Sequence, residues 1–80
     1  MPRKIRELRA DLRRAGFGEV RGRGKGSHRR YEHPDVPEAG VVLAGNDGDD
    51  AQPYKEKQVR EAIARVCAAQ AERARQRRQS

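Results

Sequence analysis

The sequence of 80 residues has little of what a large buried site requires. It contains one cysteine, no tryptophan, one phenylalanine and two tyrosines, and Leu, Ile, Val and Phe together number 12. A single cysteine excludes a disulfide within the chain and a metal site built from several thiolates. The shortage of large apolar side chains excludes an enclosed substrate pocket and predicts one small domain of modest stability.

Long apolar runs are also missing. The longest purely apolar stretch is residues 41–44, which is far too short to span a membrane or to form the core of a signal peptide. We therefore expect no membrane contact, and the single cysteine favours a reducing cytoplasm.

Charge, by contrast, is abundant and unevenly distributed. The chain has 19 Lys and Arg against 12 Asp and Glu, for a net charge of +7, and 15 of its cations are Arg. Residues 1–31 carry 11 basic and 3 acidic groups, residues 32–50 carry 6 acidic and no basic groups, and residues 51–80 carry 8 basic and 3 acidic groups. Because arginine binds phosphate with two donors at once, this composition favours a nucleic-acid partner.

Hydrophobic periodicity predicts a helix near the start of the chain. Ile5, Leu8 and Leu12 recur at helical spacing with charged residues between them, which predicts a helix over residues 3–15. Gly16 and Phe17 then occupy the left-handed position and the hydrophobic position of a Schellman ending, so the helix should stop there.

A second helix is predicted from Pro53 onward, because Val59, Ile63 and Val66 are separated by four and three residues. After Val66 the chain has strong helix formers and no large apolar residue, so we expect the helix to extend into solvent. We divide the chain accordingly into a domain of residues 1–66 and an Arg-rich helical extension of residues 67–80.

Three short strands are predicted between the helices, at residues 18–21, 27–33 and 41–44. A glycine-rich turn joins the first two, and residues 35–40 are predicted as a turn by composition. The element order predicts an α+β fold, α-β-β-β-α, with a three-stranded antiparallel sheet and both helices on one face. The predicted core comprises Leu8, Leu12, Phe17, Val20, Tyr31, Val42, Ile63 and Val66.

Two segments are similar to ligand-binding loops without completing their motifs. Residues 22–27 have glycines that can surround a phosphate, but Lys25 lacks the following Ser or Thr of a Walker loop. This segment is then either a hairpin turn or a cationic loop that holds a nucleic-acid backbone. In residues 46–50, Gly48 stands where a calcium loop needs a ligand, so we expect a solvated loop or a contact surface for a basic partner.

The two histidines, His28 and His33, occupy even and odd positions and should face opposite sides of one strand. His33 precedes Pro34 and is expected to be structural or exposed. His28 follows the glycine-rich turn among arginines, where an imidazole can act as a general base beside phosphate-binding groups. On composition alone, plain polar surface is the more frequent role of such a histidine.

The residues around His28 closely resemble the HicA family, the small RNase toxins of type II toxin–antitoxin modules. The resemblance covers residues 4–66 and depends on Gly16-Phe17, Arg21, Gly26-Ser27-His28, Tyr31 and His33-Pro34. The chain departs from the family after the third strand, where residues 44–47 replace a proline and an accompanying histidine that many members have.

The resemblance implies a fold like a double-stranded-RNA-binding domain and an endoribonuclease activity on mRNA, with His28 as the catalytic residue. The sequence offers no constellation of metal ligands, so we expect metal-independent cleavage without a cofactor, through attack of the ribose 2′-hydroxyl on the neighbouring phosphate. The candidate RNA-binding residues around His28 are Arg21, Arg23, Lys25, Ser27, Arg29 and Arg30.

The resemblance also implies a HicB-type antitoxin as partner, with DNA contacted only indirectly through that antitoxin. We expect an acidic patch on the antitoxin to cover His28 and the turn at residues 22–26, and the acidic segment 32–50 to lie away from this contact. Two alternatives remain open at this point: a non-catalytic basic RNA-binding module of the same fold, and a toxin relic that has lost its activity.

Overall fold

The structure, a computed structural model, describes residues 3–20 and 28–79 of the chain. The elements follow the order helix, strand, strand, strand, helix, which confirms the predicted α-β-β-β-α arrangement. Their bounds are α1 Ile5–Arg14, β1 Gly18–Val20, β2 Arg29–His33, β3 Val36–Leu43 and α2 Pro53–Gln79. The predicted glycine-rich turn and the first residue of the predicted second strand lie outside the described residues.

The three strands form one antiparallel sheet in the order β1-β2-β3. Tyr31 in the central strand lies opposite Glu19 on one side and Val41 on the other. Side chains alternate between the faces of a sheet, and Tyr31, Val41 and Leu43 are buried on the same face. The opposite face, which carries Arg30 and Val42, is called the open face below.

The buried face of the sheet packs against both helices. Ile5, Leu8 and Leu12 from α1 and Val59 and Val66 from α2 belong to the same buried cluster as the sheet residues. The apolar stripes that the periodicity predicted are therefore the surfaces that meet in the core, as expected for an open sheet covered on one side.

The end of α1 has the predicted Schellman geometry. The Gly16 amide donates to the Arg13 carbonyl at 3.0 Å, and the Phe17 amide donates to the Leu12 carbonyl at 2.9 Å. Gly16 has a φ of 98°, the left-handed conformation that such an ending requires. Phe17 then turns into the core and is only 4% exposed.

Two predictions about β3 are wrong. The strand begins at Val36 rather than at residue 41, so most of the predicted turn is strand. Pro37 is compatible with this because β3 is an edge strand, where a missing amide hydrogen costs no ladder bond. Val42 is 37% exposed and lies outside the core, because Val41 and Leu43 take the two positions that face the helices.

The second helix is one continuous element from Pro53 to Gln79, with no break at residue 66. Val66 is its last buried residue, and Ala69 is the last one that packs partly against the core. At about 1.5 Å per residue the helix is ~40 Å long, which accounts for most of the 46 Å length of the molecule. Among the described residues, neither helix has the combination of length and apolar character that a membrane span requires.

Candidate nucleic-acid interface

The candidate site is built around His28, which immediately precedes β2 and is exposed. Side chains two positions apart along a strand share a face of the sheet. His28 is two positions before Arg30 and therefore lies on the side of the open face. The other predicted RNA-binding residues of the preceding segment lie outside the described residues, so their position relative to His28 stays a prediction: Arg21, Arg23, Lys25 and Ser27.

Arg29 and Arg30 are brought to the same end of β2 but not to the same face. Arg29 lies on the side of Tyr31, with its Nε 3.5 Å from the Glu19 carboxylate of β1. Arg30 lies on the open face, where its Nε donates to the Glu32 carboxylate at 2.7 Å. A single nucleic-acid strand crossing the open face can therefore meet Arg30 directly, whereas Arg29 points away from it.

The guanidinium of Arg30 lies against β3 because Gly40 leaves room for it. A Cβ at Gly40 would come within 3.1 Å of Arg30 Nη2, closer than most real Cβ contacts. Glycine at this position therefore lets the arginine cover the open face beside the strand instead of projecting into solvent. Because Glu32 holds the guanidinium from the other side, a phosphate that binds Arg30 has to replace or share this carboxylate.

A second polar cluster, which the sequence predictions missed, lies where α1, β2 and the loop after β3 meet. Arg9 of α1 donates from Nε to the buried Tyr31 hydroxyl at 2.6 Å, and its Nη1 donates to the Asp47 carboxylate. The side chain of Arg9 is only 13% exposed. Tyr31 thus keeps its hydroxyl partnered while its ring fills the core, which is the usual condition for burying a tyrosine.

Two further arginines act on the same carboxylate. The pKa of Asp47 is lowered from its ordinary value, first by the hydrogen bond from Arg9 and then by the charges of Arg9, Arg29 and Arg13. The pKa of Arg9 is raised, first by its hydrogen bond to Asp47. The charges of three guanidinium groups therefore act on one exposed carboxylate, and positive charge of this kind also suits a phosphate. The spacing of Arg9 and Arg13, four residues apart on a helix, was the sequence signal for this cluster.

The acidic loop of residues 45–50 follows β3 at the end of the sheet where β2 begins. Leu43, the last residue of β3, pairs with Arg29, so the chain leaves the sheet at the end where His28 enters it. The expectation that the acidic segment 32–50 lies away from the antitoxin contact stays a prediction. Only the earlier acidic residues, such as Asp35 in the turn between β2 and β3, lie at the far end of the sheet.

His33 is a structural residue. The sequence left two roles open for it, structural or exposed, and the structure shows the first. It is 4% exposed, and its Nδ1 accepts a hydrogen bond from the Asp35 amide at 3.1 Å. Its ring meets the Phe17 ring edge to face, with centroids 5.4 Å apart. His33 thereby ties the end of β2 to the end of α1, and it is not positioned to work with His28.

Comparison with known protein families identifies the chain. A family model described as "HicA toxin of bacterial toxin-antitoxin" matches residues 5–75, which is most of the sequence. The chain belongs to the HicA toxin family. No curated protein matches the sequence.

Membership in the HicA family makes the chain a toxin component of the toxin–antitoxin type, with an antitoxin as its partner. The matched region includes His28, Arg29 and Arg30, and the cluster of Arg9, Tyr31 and Asp47. The candidate site therefore lies within the part of the chain that the HicA family model covers. The match also extends nine residues beyond the predicted domain boundary at residue 66, into α2.

Side chains that could hold a metal ion are not grouped in the described part of this HicA-family protein. Within residues 3–20 and 28–79, no three His, Cys, Asp or Glu residues are clustered for that purpose. The exposed Cys67 on α2 is the chain's one thiol. The groups available to the site are therefore an imidazole, guanidinium groups and the carboxylates that pair with them.

Proposed function

We propose that this HicA-family protein is an endoribonuclease that cleaves mRNA, with His28 as the catalytic residue. The observation that carries the proposal is the exposure of the Gly-Ser-His histidine at the start of β2, in a chain that the HicA toxin family matches over most of its length. Arg30 supports it, because strand alternation places its positive charge on the same open face as His28.

The proposed reaction is a transesterification within the RNA strand. The ribose 2′-oxygen forms a bond to the adjacent phosphorus while the bond from phosphorus to the 5′-oxygen breaks, and the 2′-proton leaves as the 5′-oxygen gains one. His28 takes up the first proton or supplies the second, a contribution worth roughly 10²–10⁴-fold in rate. The reaction needs the 2′-hydroxyl, which gives RNA rather than DNA as the substrate.

Arg30 is the described cation best placed to stabilise the negative charge that develops on the phosphate. It shares the open face with the position assigned to His28, and Gly40 and Glu32 hold its guanidinium in place. A donor that is already oriented stabilises a transition state without having to be ordered during the reaction. We propose no metal step, because the imidazole and the guanidinium groups account for proton transfer and charge stabilisation.

The antitoxin is proposed to be of the HicB type and to act by covering His28. A protein of net charge +7 meets an acidic partner quickly, while buried apolar contacts supply most of the binding energy. The exposed Val42, on the open face, offers one such apolar contact. In this proposal DNA is contacted only through the antitoxin.

The test is induced expression and an in vitro RNA-cleavage assay with wild type and His28→Ala. Wild type is expected to arrest growth and fragment mRNA, and addition of the HicB-type antitoxin should stop the cleavage. Because His28 is exposed, His28→Ala should keep the circular dichroism spectrum and RNA affinity of wild type while losing at least about 10²-fold in cleavage rate.

Two results contradict the proposal in different ways. Cleavage by His28→Ala at the wild-type rate moves the chemistry to another residue. Wild type that binds RNA without cutting it supports the alternative, a non-catalytic RNA-binding module or an inactive toxin relic.

A further inference from the structure

Residues 70–79, the C-terminal arm, form the cationic end of α2, which the proposed site does not use. They contain four arginines and one glutamate, and alanine is their largest apolar residue. Residues 70–78 are all exposed. We propose that this arm is a second contact surface for the phosphate backbone of RNA, separate from the surface around His28. The identity of the polyanion as RNA rests on the proposed ribonuclease function.

The arm projects from the body of the protein. Val66 is 1% exposed, and after Ala69 the helix has no partner in the core. The remaining ten residues extend α2 by ~15 Å. The Cα radius of gyration is 13.9 Å, compared with about 11.6 Å for a compact domain of this length, as expected when one helix protrudes.

The base of the arm is fixed to the sheet. Arg73 Nη1 lies 3.4 Å from the Asp35 carboxylate, and its Nη2 donates to the Asp35 carbonyl at 3.2 Å. Asp35 lies in the turn between β2 and β3, at the opposite end of β2 from His28. His33 is five positions after His28, so the two ends are ~17 Å apart along the sheet.

The composition of the arm fits a polyanion better than a protein surface. Protein interfaces depend on aromatic and large apolar side chains that fill pockets, and the arm has none. Arginine binds phosphate bidentately, and a helix of Ala, Arg, Gln and Glu can persist without packing because its residues have high helix propensity. Favourable interaction of cations with the helix dipole applies to the last turn and does not account for Arg75, whose Nη2 lies 3.5 Å from the Glu72 carboxylate.

A second surface at this distance makes a length-dependent prediction. Phosphates in one strand of a duplex are spaced ~3.4 Å along the helix axis, so a stacked strand needs at least about five phosphates to span ~17 Å. An RNA of about 4 nucleotides should reach only the surface around His28, whereas one of about 20 nucleotides should reach the arm as well.

The experiment measures RNA affinity against salt by fluorescence anisotropy, in a His28→Ala background so that the RNA stays intact. The test variant adds Arg75→Gln and Arg78→Gln, and the matched control adds Lys57→Gln and Arg60→Gln. Both pairs are three residues apart on α2 and remove two cations, but the control pair lies on the part of the helix that covers the core. With the longer RNA, the test variant should lower the salt slope by about 1.4, or ~0.7 per lost phosphate contact.

With the short RNA, both variants should bind like their parent. The proposal is overturned if the test variant matches the control on both RNAs, or if it changes helix content and stability but not RNA binding. It is also overturned if only the affinity for the antitoxin falls, because the arm then belongs to a protein interface. Cleavage by wild type is scored separately, so loss of the arm proposal leaves the ribonuclease proposal standing.

Discussion

Gly16 shows how closely one position can link two elements of this fold. Its φ of 98° ends α1, and its missing side chain lets the His33 ring pack directly against the backbone. A Cβ at Gly16 would lie 2.8 Å from His33 Nε2. The same position therefore satisfies a helix ending and makes room for a buried imidazole that hydrogen-bonds the Asp35 amide.

Replacing Gly16 by alanine should lower the free energy of unfolding by about 1–3 kcal/mol. The left-handed conformation alone costs an L-residue roughly 1–2 kcal/mol, and displacement of the His33 ring adds to it. Urea denaturation measures the change. The control is Gly18→Ala, since a Cβ at Gly18 meets no atom within 4 Å and its φ is not positive. Equal losses of unfolding free energy in the two variants would contradict this interpretation of Gly16.

The loop after β3 is the element that fixes the start of α1. The Asp49 and Asp47 carbonyls accept hydrogen bonds from the Ile5 and Arg6 amides at 2.9 and 3.1 Å, and the Ala51 amide donates to the Arg3 carbonyl. Amides of the first helical turn have no partner within the helix. The loop supplies those partners through its backbone, and its carboxylates add negative charge near the positive end of the helix dipole.

Asp47→Asn should make stability less dependent on pH in the acid range. The pKa of Asp47 is lowered below its ordinary value of 3.8 because Arg9 donates to its carboxylate. The stabilisation from this pair is therefore present above pH 3.8 and is lost as the pH falls through the lower folded-state pKa. Wild type should be more stable than the variant at neutral pH, and the difference should shrink below pH ~4.

Urea midpoints measured from pH 7 downward check this expectation. Glu38→Gln is the control, because the Glu38 side chain is exposed and only its backbone carbonyl accepts a hydrogen bond, from Arg65. If the difference in stability between wild type and Asp47→Asn stays constant with pH, the ion pair is not its cause.

The strand β3 illustrates why element boundaries were harder to predict than element types. Its first half contains Pro37 and Gly40, which the sequence favours for a turn. At the edge of a sheet a proline is tolerated, and Gly40 accommodates the Arg30 guanidinium from the neighbouring strand. Neither condition can be read from local sequence, because each depends on which strand lies alongside.

At the scale of the whole molecule, strand alternation places Arg29 and Arg30 on opposite faces of the sheet. Sequence alone suggested one cationic cluster in which both residues contact the same RNA. The structure separates them, with Arg30 on the open face and Arg29 beside Tyr31 near Arg9 and Asp47. Substitutions at the two residues therefore test RNA binding on different faces of the sheet.

RNA bound across the open face should respond to Arg30 and not to Arg29. We expect Arg30→Gln to reduce the salt slope of RNA affinity by ~0.7, the value for one phosphate of a single strand. Arg29→Gln should leave the slope unchanged. Titrations at several salt concentrations in the His28→Ala background measure both. The reverse result would place the RNA on the side of α1, against the cluster around Asp47.

The sequence by itself determined the order of the elements, the ending of α1, the start of α2 and the family, because these depend on local periodicity and on short motifs. It also singled out His28, through its neighbours Gly26 and Ser27.

Only the tertiary structure decided the roles of residues that act across the chain. Arg9 reaches Tyr31 and Asp47 from a different element, His33 is buried against Phe17, and the acidic loop lies at the His28 end of the sheet. Each of these depends on the register and faces of the sheet, and a shift of one residue in register exchanges the side chains of a whole strand between its two faces.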